Sequence, residues 1–161
     1  MLYKKQLSKE QALQKAKHYC GYQERSHYEV REKLYALGMH KQQVEELISQ
    51  LIEENYLNEE RFAIEFAGGK FRMKQWGRVK IKYELKQKKV SEYCIKKALK
   101  QIDEDDYLKS LNTLAKKKWN SIKGDGVNHF VKMSKTTTYL MQKGFETDLI
   151  QASIASLRKE E

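Results

Sequence analysis

One helical pattern, written three times, constrains this chain more than anything else in it. The copies align on a leucine, at Leu34, Leu85 and Leu140, with spacings of 51 and 55 residues. Ten residues after each leucine stands a β-branched residue (Val44, Ile95, Ile150), and seven further on comes another apolar one (Leu51, Ile102, Leu157). Between them the set Val44/Leu47/Ile48/Leu51 reappears as Ile95/Ala98/Leu99/Ile102 and as Ile150/Ser153/Ile154/Leu157. That i, i+3, i+4, i+7 spacing is the stripe of a helix buried along one side. A period of this size predicts an array in which each unit buries its neighbour's face.

Composition agrees. The 161 residues include no proline and only eight glycines, and 34% of them are charged. This suits helices joined by short loops and argues against a β-sandwich, which needs frequent turn residues. No apolar run reaches the roughly 18 residues of a membrane span. The start, Met1-Leu2-Tyr3-Lys4-Lys5-Gln6, lacks the apolar run of a signal peptide. A cytoplasmic protein is expected, with Cys20 and Cys94 as small buried hydrophobes rather than a disulfide.

Capping signals set the helix boundaries. Ser8 with Gln11 and Ser26 with Glu29 have the spacing of capping boxes. Gly38 and Gly144 sit where a left-handed residue should end a helix. Asn58 and Ser91 read as further N-caps, and Glu59 and Glu60 suit a helix start electrostatically. Phe62, Ala63, Phe66, Ala67 and Phe71 form one inward face, followed by a bend at Trp76-Gly77. Leu108, Leu111, Leu114 and Ala115, with Trp119, form another. Ala16, Ala67 and Ala115 align at 51 and 48, which implies an insertion of seven residues before Leu140, assigned to the loop-like 121–126. The expected fold is all-α: a single elongated, slightly curved array of three tandem three-helix repeats, nine helices in all, with repeats at about 8–56, 57–102 and 103–158.

The formal charge is +10, and it is unevenly spread. From Lys70 to Lys89 nine basic residues face one acid, Glu84, whereas Glu45 to Glu65 holds seven acids and Arg61. Such a protein is steered toward polyanions. Lys74, Arg78, Lys82, Lys86 and Lys89 recur at i+4, i+4, i+4 and i+3, which predicts a slowly drifting line along one side of the second repeat's middle helix. Arg72 and Trp76 stand where that line begins, and Arg25, Arg31, Lys70 and Lys80 are secondary candidates. A cationic stripe with an aromatic at one end can track a phosphate backbone and stack an unpaired base. Five phosphate contacts on single-stranded DNA would give a log–log salt slope of roughly −3.5. Two alternatives stay open: Trp76 packed against a neighbouring repeat, and Arg78 bridged to Glu84 or to another repeat's acid. The acidic belt (Glu45, Glu46, Glu53, Glu54, Glu59, Glu60 and Glu65) reads chiefly as helix starts and solvated faces, with a basic protein partner as the alternative.

Catalytic constellations are missing from the pattern. His18, His27, His40 and His129 are isolated, and His18 and Cys20 lie two apart with no downstream partner pair. Gly124-Asp125-Gly126 neither follows a strand nor resembles a phosphate-binding loop. Neither an enzyme, a metal site nor a cofactor is expected.

At this point the residues resemble a known family. Arg25-Ser26-x-x-Glu29-Val30-x-x-Lys33-Leu34-x-x-x-Gly38 is similar to the first repeat of the RecX family of bacterial recombination regulators. Tyr56-Leu57-Asn58-Glu59-Glu60-Arg61-Phe62-Ala63-x-x-Phe66, then Lys70-x-Arg72 and Gly77-Arg78-x-x-Ile81-x-x-Glu84-Leu85, resembles its second repeat. The resemblance runs from about Ala12 to Leu157 and rests on the order and spacing of these motifs together. One departure stands out: Lys88-Lys89-Val90 replaces the family's Lys-Gly-aliphatic turn, which would place a lysine in the left-handed position at a cost of about 1 kcal/mol. The third repeat is the least similar. What the resemblance implies is a non-enzymatic monomer that binds RecA, lies along the groove of the RecA–single-stranded-DNA filament, and restrains its ATP hydrolysis and strand exchange. A RecA-independent nucleic-acid-binding array and a protein-binding scaffold are the alternatives.

Overall fold

The structure, a computed structural model, describes residues 6–161. Met1 to Lys5, most of the stretch read as lacking a signal peptide, lie outside the described residues. Those described form α-helices α1 (Lys9–Tyr22), α2 (His27–Ala36), α3 (Lys41–Glu53), α4 (Glu59–Gly69), α5 (Arg78–Gln87), α6 (Glu92–Lys100), α7 (Glu104–Ser121), α8 (His129–Lys143) and α9 (Thr147–Lys159). A π-helical segment, Lys70–Lys74, continues α4, and no strand occurs among the described residues. The chain is an all-α tandem array of three-helix repeats.

The three aligned leucines occupy one structural position. Each is fully buried, and each gives its carbonyl to the amide five residues on: Met39 to Leu34 at 3.1 Å, Val90 to Leu85 at 3.1 Å, Phe145 to Leu140 at 3.2 Å. The residue before each donor is left-handed: Gly38 at φ 92°, Lys89 at φ 62°, Gly144 at φ 93°. These are Schellman turns, in which the helix's last carbonyls are satisfied by its own chain and an apolar residue folds back onto the helix. Lys89 therefore takes the strained position that glycine holds in the other two copies.

N-caps follow the expected residues. Ser8 accepts from the Gln11 amide at 3.1 Å while the Gln11 side chain receives the Ser8 amide. Ser26, Asn58 and Ser91 accept from Glu29, Arg61 and Cys94. Ser26 departs from a full box, because its hydroxyl faces the Glu29 carboxylate directly at 3.2 Å. His40 caps α3 through Nδ1, a role its sequence context did not suggest.

The described chain divides into two compact units, one of residues 6–66 with Leu85–Ala98, the other of Ala67–Glu84 with Leu99–Glu161. The division passes through the second repeat. In the first unit α1, α2 and α3 pack on one another around Ala12, Ala16, Val30, Leu34, Val44, Leu47, Ile48 and Leu51. Burying each such leucine or isoleucine contributes about 1.5–3 kcal/mol. Cys20 is a buried free thiol, and burial pushes its pKa up to about 11. In the second unit α7, α8 and α9 pack on one another. Their core includes Leu111, Leu114, Ala115, Trp119, Leu140, Ile150 and Ile154. Ser153 replaces the apolar residue of the other copies, and its hydroxyl is satisfied by Asn112 at 2.7 Å.

Three details differ from the sequence reading. The inward face of α7 starts at Tyr107, which is fully buried, while Leu108 is half-buried. The seven inserted residues are not all loop: the connection 122–128 is three residues longer than 23–26, and α8 carries four more residues than α2 ahead of the aligned leucine. Four residues make one extra helical turn, so most of the insertion lengthens α8. The segment after Gly68-Gly69 is π-helical, and each of those glycines weakens α-helix by about 1 kcal/mol relative to alanine.

Candidate functional site

The expected cationic line is broken near its start. The π-helical segment ends at Gln75, which is left-handed at φ 56°, and α5 begins only at Arg78. Lys74 therefore lies outside α5, as does Lys89 beyond its C-terminus; Arg78, Lys82 and Lys86 share the helix. The break has a packing cause. Gly77 is buried, and its amide donates to the Lys143 carbonyl at 2.8 Å, while the Val79 amide donates to the Gly144 carbonyl at 2.9 Å. The Arg78 amide donates to the Tyr107 hydroxyl at 3.0 Å. Three amides that open α5 thus find partners in the third repeat, two backbone carbonyls and one tyrosine hydroxyl, instead of a cap from their own segment.

Arg78 takes the bridging role, with acids other than Glu84. Its guanidinium reaches Glu146 at 2.7 Å and Glu104 at 2.7 Å, and lies 3.9 Å from the centre of the Tyr107 ring. The Tyr107 hydroxyl closes the set by donating to Glu146. Burial opposes the Arg78 charge, but hydrogen bonds to Glu104 and Glu146 outweigh it and hold the pKa above its ordinary value. Burial, then the bond to Glu146, raises the Tyr107 pKa. With two carboxylates around one guanidinium, little of its charge is left to an outside phosphate.

A second group of cations lies along the bend that leads into α5, with two of them over Trp76. The Lys80 and Lys70 ammonium groups lie 4.6 and 5.1 Å from the indole, within cation–π range. Lys143 reaches over to donate to the Lys74 carbonyl at 3.1 Å. Arg72 folds back over α4, where a Cβ on Gly68 would sit 2.7 Å from its guanidinium. Trp76 itself is half-buried. Among the described residues Arg72, Lys74, Lys80 and Lys143 have no carboxylate partner, so their charges add to one local positive potential. Lys80, ranked second in the sequence reading, is thus central, and Lys143 was missed. Its only sequence signal is that it precedes Gly144, since nothing in the pattern announces that Gly77 meets that turn.

The other candidates are distributed differently. Lys82 is exposed with no ion pair among the described residues. In the first unit Lys86 reaches Glu92 at 3.4 Å, and Arg31 pairs with Glu45 at 3.1 Å. Arg25 stacks 3.7 Å from the Tyr19 ring centre. Lys89 is exposed on its left-handed turn. Much of the acidic belt is used at home: Glu46 pairs with Lys9, Glu54 with Lys17, Glu60 with Lys97, and Glu59 accepts from the Ser91 amide. No group of three or more His, Cys, Asp and Glu gathers to hold a metal among the described residues, and no described helix is long and apolar enough to cross a membrane.

Comparison with known proteins gives this arrangement a family. Models of the first, second and third three-helix domains of RecX match residues 12–51, 58–99 and 104–154. The regulatory protein RecX of Prosthecochloris aestuarii is 32% identical over 146 residues, covering 91% of this chain and 93% of that one. That of Clostridium perfringens is 32% identical over 133 residues, 83% of this chain but 62% of its own length. The crystal structure of RecX from Lactobacillus salivarius superposes with a TM-score of 0.83 at 26% identity, covering 93% of this chain and 96% of that one. Triple-helix repeats, their three domain matches and these relatives agree: the chain belongs to the RecX family of regulatory proteins.

Proposed function

We propose that this protein binds RecA and its single-stranded-DNA filament, and restrains ATP hydrolysis and strand exchange there. It acts without catalytic chemistry of its own, in the cytoplasm and as a monomer. The observation that carries the DNA half of this reading is the set Arg72, Lys74, Lys80 and Lys143, contributed by the bend between α4 and α5, the first turn of α5 and the end of α8. Four cations without carboxylate partners among the described residues favour a polyanion, and the Lys80 ammonium stands 4.6 Å from the Trp76 ring in the same bend. Contacts from all four would give a salt slope of roughly −2.8 on single-stranded DNA. Membership in a family of regulatory proteins supports the RecA half.

The test is RecA's DNA-dependent ATPase, measured with increasing amounts of the purified protein. Slowing at substoichiometric to equal amounts is expected, and the triple variant Lys74→Gln/Lys80→Gln/Lys143→Gln should need several-fold more protein for the same effect. No change in ATPase or strand exchange over that range would rule the proposal out. Single-strand binding that ignores RecA would instead favour a general nucleic-acid-binding array.

A further inference from the structure

A second cationic–aromatic site lies in the first unit, built by α1 and the start and end of α2. Its cleft holds about 500 Å³ and is lined by Lys15, His18, Tyr19, Tyr22, Arg25 and Lys33, with no Asp or Glu among its described lining residues. That volume falls in the range of about 300–1,000 Å³ common to small-ligand sites. Arg25 is fixed in place: its Nε donates to the Tyr19 carbonyl at 3.1 Å, Glu29 stands 3.8 Å away, and the guanidinium covers the Tyr19 ring. Lys33 reaches the same ring, 5.4 Å from its centre. Lys15 has no ion pair among the described residues. Tyr22 is different from Tyr19. It is 80% exposed at the mouth, with Arg25 6.0 Å from its centre, and so presents an uncovered ring beside a fixed cation.

We infer that this cleft is a nucleotide-binding subsite for single-stranded nucleic acid, in which one unpaired base stacks on Tyr22 and its flanking phosphates are held by Lys15 and Lys33. The chemistry separates the possible polyanions. An acidic peptide would use the cations and leave the Tyr22 ring bare. A duplex offers phosphates but no unstacked base. Only an unpaired strand uses the ring and the charges together, because every base has a π-face. Arg25 contributes as a preset wall: its contacts with Tyr19 and Glu29 already hold it in place, so little of its ordering cost falls on binding. The site goes beyond the proposed regulation of RecA, because it binds a free strand with no recombinase present.

The experiment is fluorescence anisotropy with a labelled 20-nucleotide oligothymidine and a labelled duplex of equal length, without RecA, over a range of salt. Tyr22→Ala should weaken single-strand binding by about 5- to 100-fold, the usual effect of losing one stacking ring. Tyr22→Phe should retain it, and duplex binding should not change. Lys33→Gln should reduce the salt slope by about 0.7. A bromouracil-containing oligonucleotide should photo-cross-link to the peptide containing Tyr22. Because Tyr22 is exposed, the helical circular dichroism and Tm of Tyr22→Ala should match the parent protein, which separates binding from folding. Unchanged single-strand affinity in Tyr22→Ala, an equal loss on duplex, or no cross-link at the peptide containing Tyr22 would each overturn the inference. Slowing of RecA's ATPase tests the proposed regulation separately, so the two can fail independently.

Discussion

Gly77 lies so close to Gly144 that neither residue can carry a side chain. A Cβ on Gly77 would fall 2.6 Å from the Phe145 nitrogen and overlap the Gly144 carbonyl, and a Cβ on Gly144 would fall 2.7 Å from the Lys80 nitrogen. Apart from the Lys80 Cβ, which its own backbone fixes, these obstacles are backbone atoms, which cannot swing aside as the end of a side chain can. Gly77→Ala should therefore cost about 2–3 kcal/mol, at the upper end of overpacking effects. In a domain of this size that is a drop in Tm of about 4–12 °C. Gly144→Ala should cost at least as much, because its left-handed φ of 93° adds backbone strain. Gly69→Ala, with nothing within 4 Å of the added carbon, is the control and should be neutral or stabilising. Thermal unfolding of the three variants checks the order.

Arg78 should prove a residue of stability rather than of phosphate binding. Removing it leaves Glu146 and the Tyr107 hydroxyl without a cation, so Arg78→Ala should cost about 2–3 kcal/mol. Arg78→Lys should recover only part, since a lysine cannot reach two carboxylates and cover the Tyr107 ring together. Tyr107→Phe should cost about 1–2 kcal/mol, through the lost hydroxyl that accepts from the Arg78 amide. The double variant should cost less than the sum of the two, as expected for residues in one network. The salt slope for single-stranded DNA should be the same in Arg78→Ala as in the parent. A slope reduced by about 0.7 would instead return Arg78 to the phosphate contacts.

Lys89→Gly should stabilise the protein by about 1 kcal/mol, because it replaces a left-handed lysine with the residue found at the same position in the other two Schellman turns. Lys89→Ala should not, since alanine keeps the Cβ that causes the strain. Chemical denaturation with equal m-values would read this directly. If Lys89 also contacts DNA, the glycine variant should bind more weakly while melting higher.

Stability should fall on mild acidification through His27. This side chain is half-buried at the start of α2; its Nδ1 faces Glu59 at 3.6 Å and its Nε2 has no hydrogen-bond partner among the described residues. Burial lowers its pKa below the ordinary histidine value of about 6.5, and the attraction of Glu59 offsets this only in part. The unfolded chain therefore takes up the proton first as pH falls. The neutral form's stabilising advantage is complete above about pH 6.5 and is lost as pH falls toward the folded-state value. Tm should decline between pH 7.5 and 5.5, and His27→Gln should flatten that part of the decline. An equal decline in both proteins would show that another group is responsible.

Much of the fold was legible because it rests on local rules. Leu34, Leu85 and Leu140 could be aligned by spacing alone, and Ser8, Asn58 and Gly38 marked helix ends through chemistry confined to a few neighbouring residues. The candidate site was only half legible, because it depends on contacts between distant segments. Lys74 to Lys82 looks like one helical face until Gln75 turns left-handed and Gly77 meets the third repeat. Lys143 belongs to the cations along this bend only because of that meeting. Arg78 has the same spacing as Lys82, yet it is claimed by acids 26 and 68 residues away. Spacing shows which residues share a helix face; it does not show which of their charges are already matched.

The amides of Gly77 and Val79 donate to carbonyls at the end of α8 rather than to groups in their own segment. Their protection therefore depends on a contact between two segments, because the partner carbonyls lie more than sixty residues further along the chain. Exchange there requires the start of α5 and the last turn of α8 to part. Two backbone protons in the second repeat are therefore reporters of the third repeat's integrity. Whatever loosens the end of α8 should appear first as faster deuterium uptake at Gly77 and Val79.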